Sequence, residues 1–175
     1  MLPLHVLRNE YCLRCRVKSP RSTGTKILEN VLSKLNLHPS LIIDYGCSTW
    51  RNSQYLRSKY SSMSVRIDIT QASKPDIIAY PTKLPLRSKC CDVFLLTHIL
   101  MFLRSSIEMS ESISEAKRVS RIIVIECYHV KNPSALKYSK EQLEEMFLRL
   151  NLKVLSKRTR RDMENYVLSF SNEES

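Results

Sequence analysis

Glycine is scarce in this chain: Gly24 and Gly46 are the only two among 175 residues. That shortage removes the Gly-x-Gly-x-x-Gly turn of nicotinamide-dependent Rossmann enzymes, of which one glycine at most survives, and no second nucleotide-binding half follows. Long apolar runs are also missing. No stretch approaches the roughly 20 residues that span a bilayer, so no membrane partner is expected. The start, Met1-Leu2-Pro3-Leu4-His5-Val6-Leu7-Arg8, lacks a basic segment followed by a long apolar one, and a cytoplasmic protein is expected. Among six cysteines only Cys12 and Cys15 have metal-ligand spacing, and no second pair or histidine cluster completes four ligands. No metal is expected; a local disulfide or two free thiols suits that pair better. Cys47, Cys90, Cys91 and Cys127 fall in or beside predicted strands, where buried thiols are common.

Acidic residues are few against 28 basic ones, leaving a net charge of +11. The excess favours a polyanionic partner, RNA ahead of DNA. Basic residues gather near the N-terminus (Arg8, Arg14, Arg16, Lys18, Arg21, Lys26) and near the C-terminus (Lys153, Lys157, Arg158, Arg160, Arg161). Solvated faces are the plain alternative, because a basic surface is necessary for nucleic-acid contact but not sufficient.

Residues 1–24, with Pro3, Pro20 and Gly24 among basic side chains, read as an irregular N-terminal arm, and 25–175 as one domain. Ile27, Leu28, Val31, Leu32 and Leu35 recur at helical spacing over 25–35. Strands are expected at 41–45, 65–69, 76–79, 92–97 and 122–127, with helices at 52–60 and 110–119 between them. Ser139 and Gln142 form a capping-box pattern opening a helix through Leu150. Two last strands, 152–156 and 166–170, flank a polar turn and should pair antiparallel at the sheet edge. Alternating strands and helices predict a mostly parallel sheet covered on both faces.

In such a sheet, ligands bind beyond the carboxyl ends of the strands where strand order reverses. The first strand ends in Asp44-Tyr45-Gly46-Cys47-Ser48-Thr49-Trp50, and Gly46 permits a tight turn and close backbone approach. Asp68 ends the second strand, where a carboxylate can accept both hydroxyls of a ribose. With Ile67-Asp68-Ile69, Tyr80-Pro81-Thr82-Lys83-Leu84-Pro85-Leu86, Cys91 to Leu100 and Asn151-Leu152-Lys153-Val154, the order over residues 40–170 resembles the class I S-adenosylmethionine-dependent methyltransferases. The resemblance implies an α/β, Rossmann-like three-layer sandwich with a mostly parallel seven-stranded sheet and an antiparallel last strand. It implies S-adenosylmethionine as cofactor, held by Asp44, Gly46, Cys47, Ser48, Asp68, Ile69, Tyr80, Pro81 and Thr97.

Departures from the family pattern are specific. Ser48 and Trp50 replace the second and third glycines of Asp-x-Gly-x-Gly-x-Gly, and the indole must point away from the pocket or fill part of it. Where members have an Asp that accepts the adenine amino group, Tyr80 stands instead, and Pro81 has no N–H to give. That lost bond costs on the order of 1 kcal/mol of affinity. No base is evident: His98, after the fourth strand, is a candidate, with a packed or solvent-facing histidine as the plain reading. Glu126 either faces the cleft or meets a local partner. The expected function is methyl transfer to RNA or an RNA-associated protein. The competing expectation is a catalytically silent module that binds nucleic acid or a protein partner, resting on Ser48, Trp50, Tyr80 and Pro81. A small-molecule methyltransferase fits the fold but leaves the charge unexplained.

Overall fold

The structure, a computed structural model, describes residues 23–47, 51–128, 136–160 and 163–170. The predicted arm (but for its last two residues), Cys12, Cys15, Ser48, Trp50 and Arg161 lie outside them. Among the described residues, four α-helices and seven strands follow in the order α1 (Thr23–Lys34), β1 (Leu41–Tyr45), α2 (Arg51–Tyr60), β2 (Met63–Asp68), β3 (Ile77–Ile78), β4 (Cys91–Thr97), α3 (Ser106–Val119), β5 (Ser120–Tyr128), α4 (Lys140–Arg149), β6 (Leu152–Arg160) and β7 (Met163–Phe170). The strands hydrogen-bond in the order β3-β2-β1-β4-β5-β7-β6. β1 to β5 pair parallel. β7 runs antiparallel to both of its neighbours, β5 and β6. This is the mostly parallel α/β sheet that the alternation of elements predicts.

Period-two alternation divides the core between the two faces of the sheet. Ile42, Val93, Leu95, Ile122 and Val124 point to one face, where Ile27, Leu28, Val31 and Leu32 of α1 and Leu56 of α2 cover them. Ile43, Phe94, Leu96, Ile123 and Ile125 point to the other, beneath Met109, Ile113 and Ala116 of α3 and Leu143 and Phe147 of α4. Because both faces are buried, β4 and β5 read as continuous apolar runs.

Boundaries moved where polar side chains do local work. α1 spans Thr23–Lys34, where a helix over 25–35 is expected. α3 starts at Ser106, four residues before the expected position, because Ser105 is its cap and accepts from the Glu108 N–H. Ser112 satisfies its own hydroxyl on the Glu108 carbonyl, so serine inside this helix does not compete with it. β6 and β7 extend through 157–160 and 163–165, since residues 157–160 pair with 163–166 across the hairpin, beyond a register shift at Val154/Ser156. The capping box of α4 forms as expected, with Ser139 and Gln142 each bonding the other's backbone N–H.

One carboxylate ties the bottom of the sheet together. Asp92 Oδ2 accepts from Ser40 N (2.8 Å), Ser40 Oγ (2.7 Å) and Leu41 N (3.1 Å), joining the starts of β1 and β4. Burial opposes its ionisation, but the Ser40 and Leu41 donors and the charge of Arg121 outweigh it and hold the carboxyl below the usual range. A depressed folded-state pKa contributes stability that is present above the unfolded value, near 3.9, and lost as pH falls through the folded one. Asp92→Asn should therefore cost about 1–2 kcal/mol at pH 7 and much less near pH 3, by urea unfolding at both pH values. A pH-independent loss would show that the bonds matter and the charge does not.

Candidate functional site at the strand tips

Strand order reverses between β1 and β4: β2 and β3 lie to one side of β1, and β4, β5, β7 and β6 to the other. The crevice above that reversal is the expected ligand position in an open α/β sheet. The buried acids point to the same place. Among the described residues, three acids are buried: Asp44 (2% exposed), Asp68 (1%) and Glu126 (2%). They stand in the C-terminal halves of β1, β2 and β5, with Thr97, also buried, at the tip of β4. Burying a carboxylate is costly unless it is hydrogen-bonded or paired, so three at one edge of a sheet need an account beyond packing.

Each acid has a local partner. Asp44 Oδ2 accepts from the Ser53 N–H of α2 at 3.2 Å, which fixes the start of that helix over the strand. Asp68 Oδ1 accepts from the Thr70 N–H at 3.1 Å, an Asx turn that starts a one-turn 3₁₀ helix, Gln71–Ser73. Glu126 Oε1 lies 3.2 Å from His98 Nε2. Between β1 and α2, Gly46 has φ 73°, a conformation that costs residues with a Cβ roughly 1–2 kcal/mol, and its N–H bonds the Ile67 carbonyl at 2.7 Å. This is the one place where the chain's second glycine is required. Cys47 beside it is buried.

Thr97 Oγ1 lies 3.0 Å from Asn52 Nδ2, which donates to it and links the β4 tip to the first turn of α2. Asn52 was not among the predicted site residues; its signal was its place directly after the β1 turn. Tyr80 is about half exposed, its hydroxyl accepting from Arg104 Nη2 at 3.3 Å, while Pro81 is buried. This contact joins the segment after β3 to the segment after β4 across the same edge, and nothing in the local sequence pairs the two residues. Ile69 is partly buried and packs against the core beneath. The structure thus brings Asp44, Gly46, Cys47, Asp68, Ile69, Tyr80, Pro81 and Thr97 to one edge of the sheet; Ser48 is not among the described residues. A cavity of about 550 Å³ between the first half of α3 and α4, lined by Met109, Leu136, Tyr138 and Met146 among others, includes none of them.

His98 is held from two directions. Its backbone N–H bonds the Glu126 carbonyl at 2.6 Å, its side chain meets the Glu126 carboxylate, and its φ is 59°. The ring presents Nε2 to the Glu126 carboxylate, and its Nδ1 is a buried atom. That geometry makes His98 a strut between the β4 and β5 tips more readily than a base. His98→Asn, which tolerates the left-handed conformation and keeps an N–H donor, should cost under about 1 kcal/mol. His98→Val should cost about 2–3 kcal/mol, from both backbone strain and the donor withdrawn from Glu126. Equal losses in chemical denaturation would remove the strut role.

Neither a protein-family model nor a curated relative matches the sequence. Solved structures do match. A S-adenosylmethionine-dependent methyltransferase from Clostridium acetobutylicum superposes with a TM-score of 0.74 at 10% identity, covering 95% of this chain and 98% of that one. The complex between the Haloferax volcanii Trm112 methyltransferase activator and a methyltransferase gives 0.73 at 11% identity, over 95% and 97%. Magnesium protoporphyrin IX methyltransferase from Synechocystis, solved with S-adenosylmethionine bound, gives 0.71 at 13% identity, over 98% and 99%. The fold is that of class I methyltransferases along nearly the whole chain. No helix among the described residues is long and apolar enough to cross a membrane.

Proposed function

We propose that this chain is an S-adenosylmethionine-dependent methyltransferase whose cofactor lies across the tips of β1, β2 and β4. The observation that carries the reading is the gathering of the described buried acids at those tips and at the neighbouring tip of β5. A sulfonium is a cation and a ribose presents two hydroxyls, so a crevice edged by buried carboxylates suits both. Asp68 would accept the ribose hydroxyls. Gly46, Cys47 and Ser48 would let the methionine portion pass, with Asp44 acting through the placement of α2. Ile69 and Tyr80 would flank the adenine, Pro81 would offer the ring no N–H, and Thr97, tied to Asn52, would bound the β4 side. Bound there, the cofactor would supply an electrophilic methyl group carried on a sulfonium sulfur. In-line placement is the main demand on the protein.

The acceptor in this reading is RNA or an RNA-associated protein, supported by the net charge of +11. The basic N-terminal segment, read as an arm beside one methyltransferase-like domain, would add phosphate contacts. A protein partner is part of the reading, since one neighbour of the same fold is solved with a methyltransferase activator. Tyr80 and Pro81 favour a second reading, a silent module that keeps the fold without the cofactor. Calorimetric titration of the full chain with S-adenosylhomocysteine separates the two. Saturable heat in the micromolar range or weaker supports the enzyme; no heat at high ligand concentration, from protein shown to be folded, leaves the silent module.

A further inference from the structure

The topology places a basic strand end on the β5 side of the tips. β6 is the edge strand of the sheet and carries Lys153, Lys157, Arg158 and Arg160 with no acid in its nine residues. Since β7 is antiparallel to both β5 and β6, β6 runs in the same direction as β5, and its last residues reach the same edge as the tips. The register gives the level: Arg158 pairs with Asn165, which pairs with Glu126. Two strand spacings, about 10 Å, therefore separate Arg158 from the buried acid at the β5 tip. Arg160, level with Tyr128, lies farther out along the same edge.

On the other side of the crevice, exposed Arg104 and Lys83 follow the tips of β4 and β3. Glu108 accepts from the Arg104 backbone N–H, Glu164 is paired opposite Thr159, and Asp162 follows Arg160 by two residues in the sequence. Lys157 is paired with Glu144 of α4 and lies over the Tyr166 ring. The first helix adds to the pattern. α1 joins β1 through a short link, so it runs antiparallel to β1 across β5, β6 and β7, and its first residue, Thr23, lies toward the tip edge.

We infer that the β6–β7 hairpin is a phosphate-contacting track that leads a nucleic-acid strand toward the strand-tip crevice, with Arg158 and Arg160 as its contacts. The inference rests on the methyltransferase reading for where the track leads, but not for the binding itself. Lysines and arginines on an edge strand also guard it against edge-to-edge aggregation. A guard is needed along the whole strand, whereas here Arg158 and Arg160 stand together at the tip end and Lys153 stands alone at the other.

The test compares two variants of the full chain, each losing two positive charges. Arg158→Ser with Arg160→Ser removes the tip end; Lys34→Ser with Lys153→Ser removes exposed charges at the opposite edge of the sheet. Binding of a fluorescein-labelled 20-nucleotide single-stranded RNA, and of DNA of the same sequence, is followed by anisotropy over a salt series. The tip variant should bind either strand about tenfold more weakly near 0.1 M salt, with a log–log salt slope shallower by about 1.4. The opposite-edge variant should stay within about twofold of wild type. Equal losses in both variants, no nucleic-acid binding by wild type, or binding to phosphatidylserine vesicles but not to either strand would each overturn the track. S-Adenosylhomocysteine titrations on the same proteins keep the two readings apart. Heat unchanged in the tip variant with strand binding lost supports the track, whereas absence of heat in wild type with tip-specific strand binding intact removes the cofactor and leaves the track standing.

Discussion

Asp68→Ala should weaken S-adenosylhomocysteine binding by about tenfold or more, because a carboxylate that accepts two ribose hydroxyls contributes charge-assisted bonds of about 1.5–3 kcal/mol each. The measurement needs a companion, since Asp68 Oδ1 also accepts from the Thr70 N–H and starts the 3₁₀ turn that follows β2. Alanine removes both contacts. Asp68→Asn keeps an oxygen for Thr70 but loses the charge and one acceptor position, so its thermal stability should stay close to wild type while its affinity still falls. If the Asn variant binds as tightly as wild type and only the Ala variant fails, Asp68 is a turn residue and the ribose assignment is lost. Asp44 should behave in the opposite way. Its described bond goes to the Ser53 N–H at the start of α2, so Asp44→Asn should act first on stability and on ligand affinity only through the helix.

These outcomes bear on what a single sequence can disclose. The sheet was legible because its strands are short apolar runs separated by amphipathic helices, and Ile122 to Cys127 can hardly be anything but a buried strand. Gly46 was legible for a different reason: with only two glycines in the chain, one placed between a strand and a helix announces a turn that other residues resist. Asp68 could be assigned to a strand tip from its neighbours alone. Its near-complete burial could not be read, because burial depends on what the rest of the fold lays over it.

The features that escaped the sequence are tertiary. Arg104 and Tyr80 are 24 residues apart, and only the side-by-side placement of the segments after β3 and β4 makes them partners. His98 and Glu126 were each visible as polar residues at strand ends, but their pairing follows from the β4–β5 register, in which Thr97 stands opposite Glu126. The basic residues of β6 were counted as part of a charged C-terminus. Their position beside the tips appears only once β7 is seen to insert between β5 and β6 and turn β6 parallel to β5. Periodicity assigns a residue to an element; it does not say which elements are neighbours.

The inserted strand is also where stability should be most vulnerable. Tyr166, in the middle of β7, is fully buried, meets Phe147 of α4 edge to face at 5.0 Å between ring centres, and carries Lys157 Nζ over its ring at 5.4 Å. It pairs with Ile125 of β5 on one side and with Lys157 of β6 on the other, so its ring pins the antiparallel hairpin and the last helix to the parallel half of the sheet. Replacing a buried aromatic ring by alanine costs about 3–5 kcal/mol. For a domain of this size that corresponds to a fall in melting temperature on the order of 10 °C. The hydroxyl matters far less: its contact with Glu144 is at 3.5 Å, the outer limit of a hydrogen bond, so Tyr166→Phe should cost under about 1 kcal/mol. Urea unfolding of the two variants checks both values. A loss of about 1 kcal/mol or less for Tyr166→Ala would mean that the hairpin is held mainly by its backbone ladder, and the anchoring role of the ring would have to be given up.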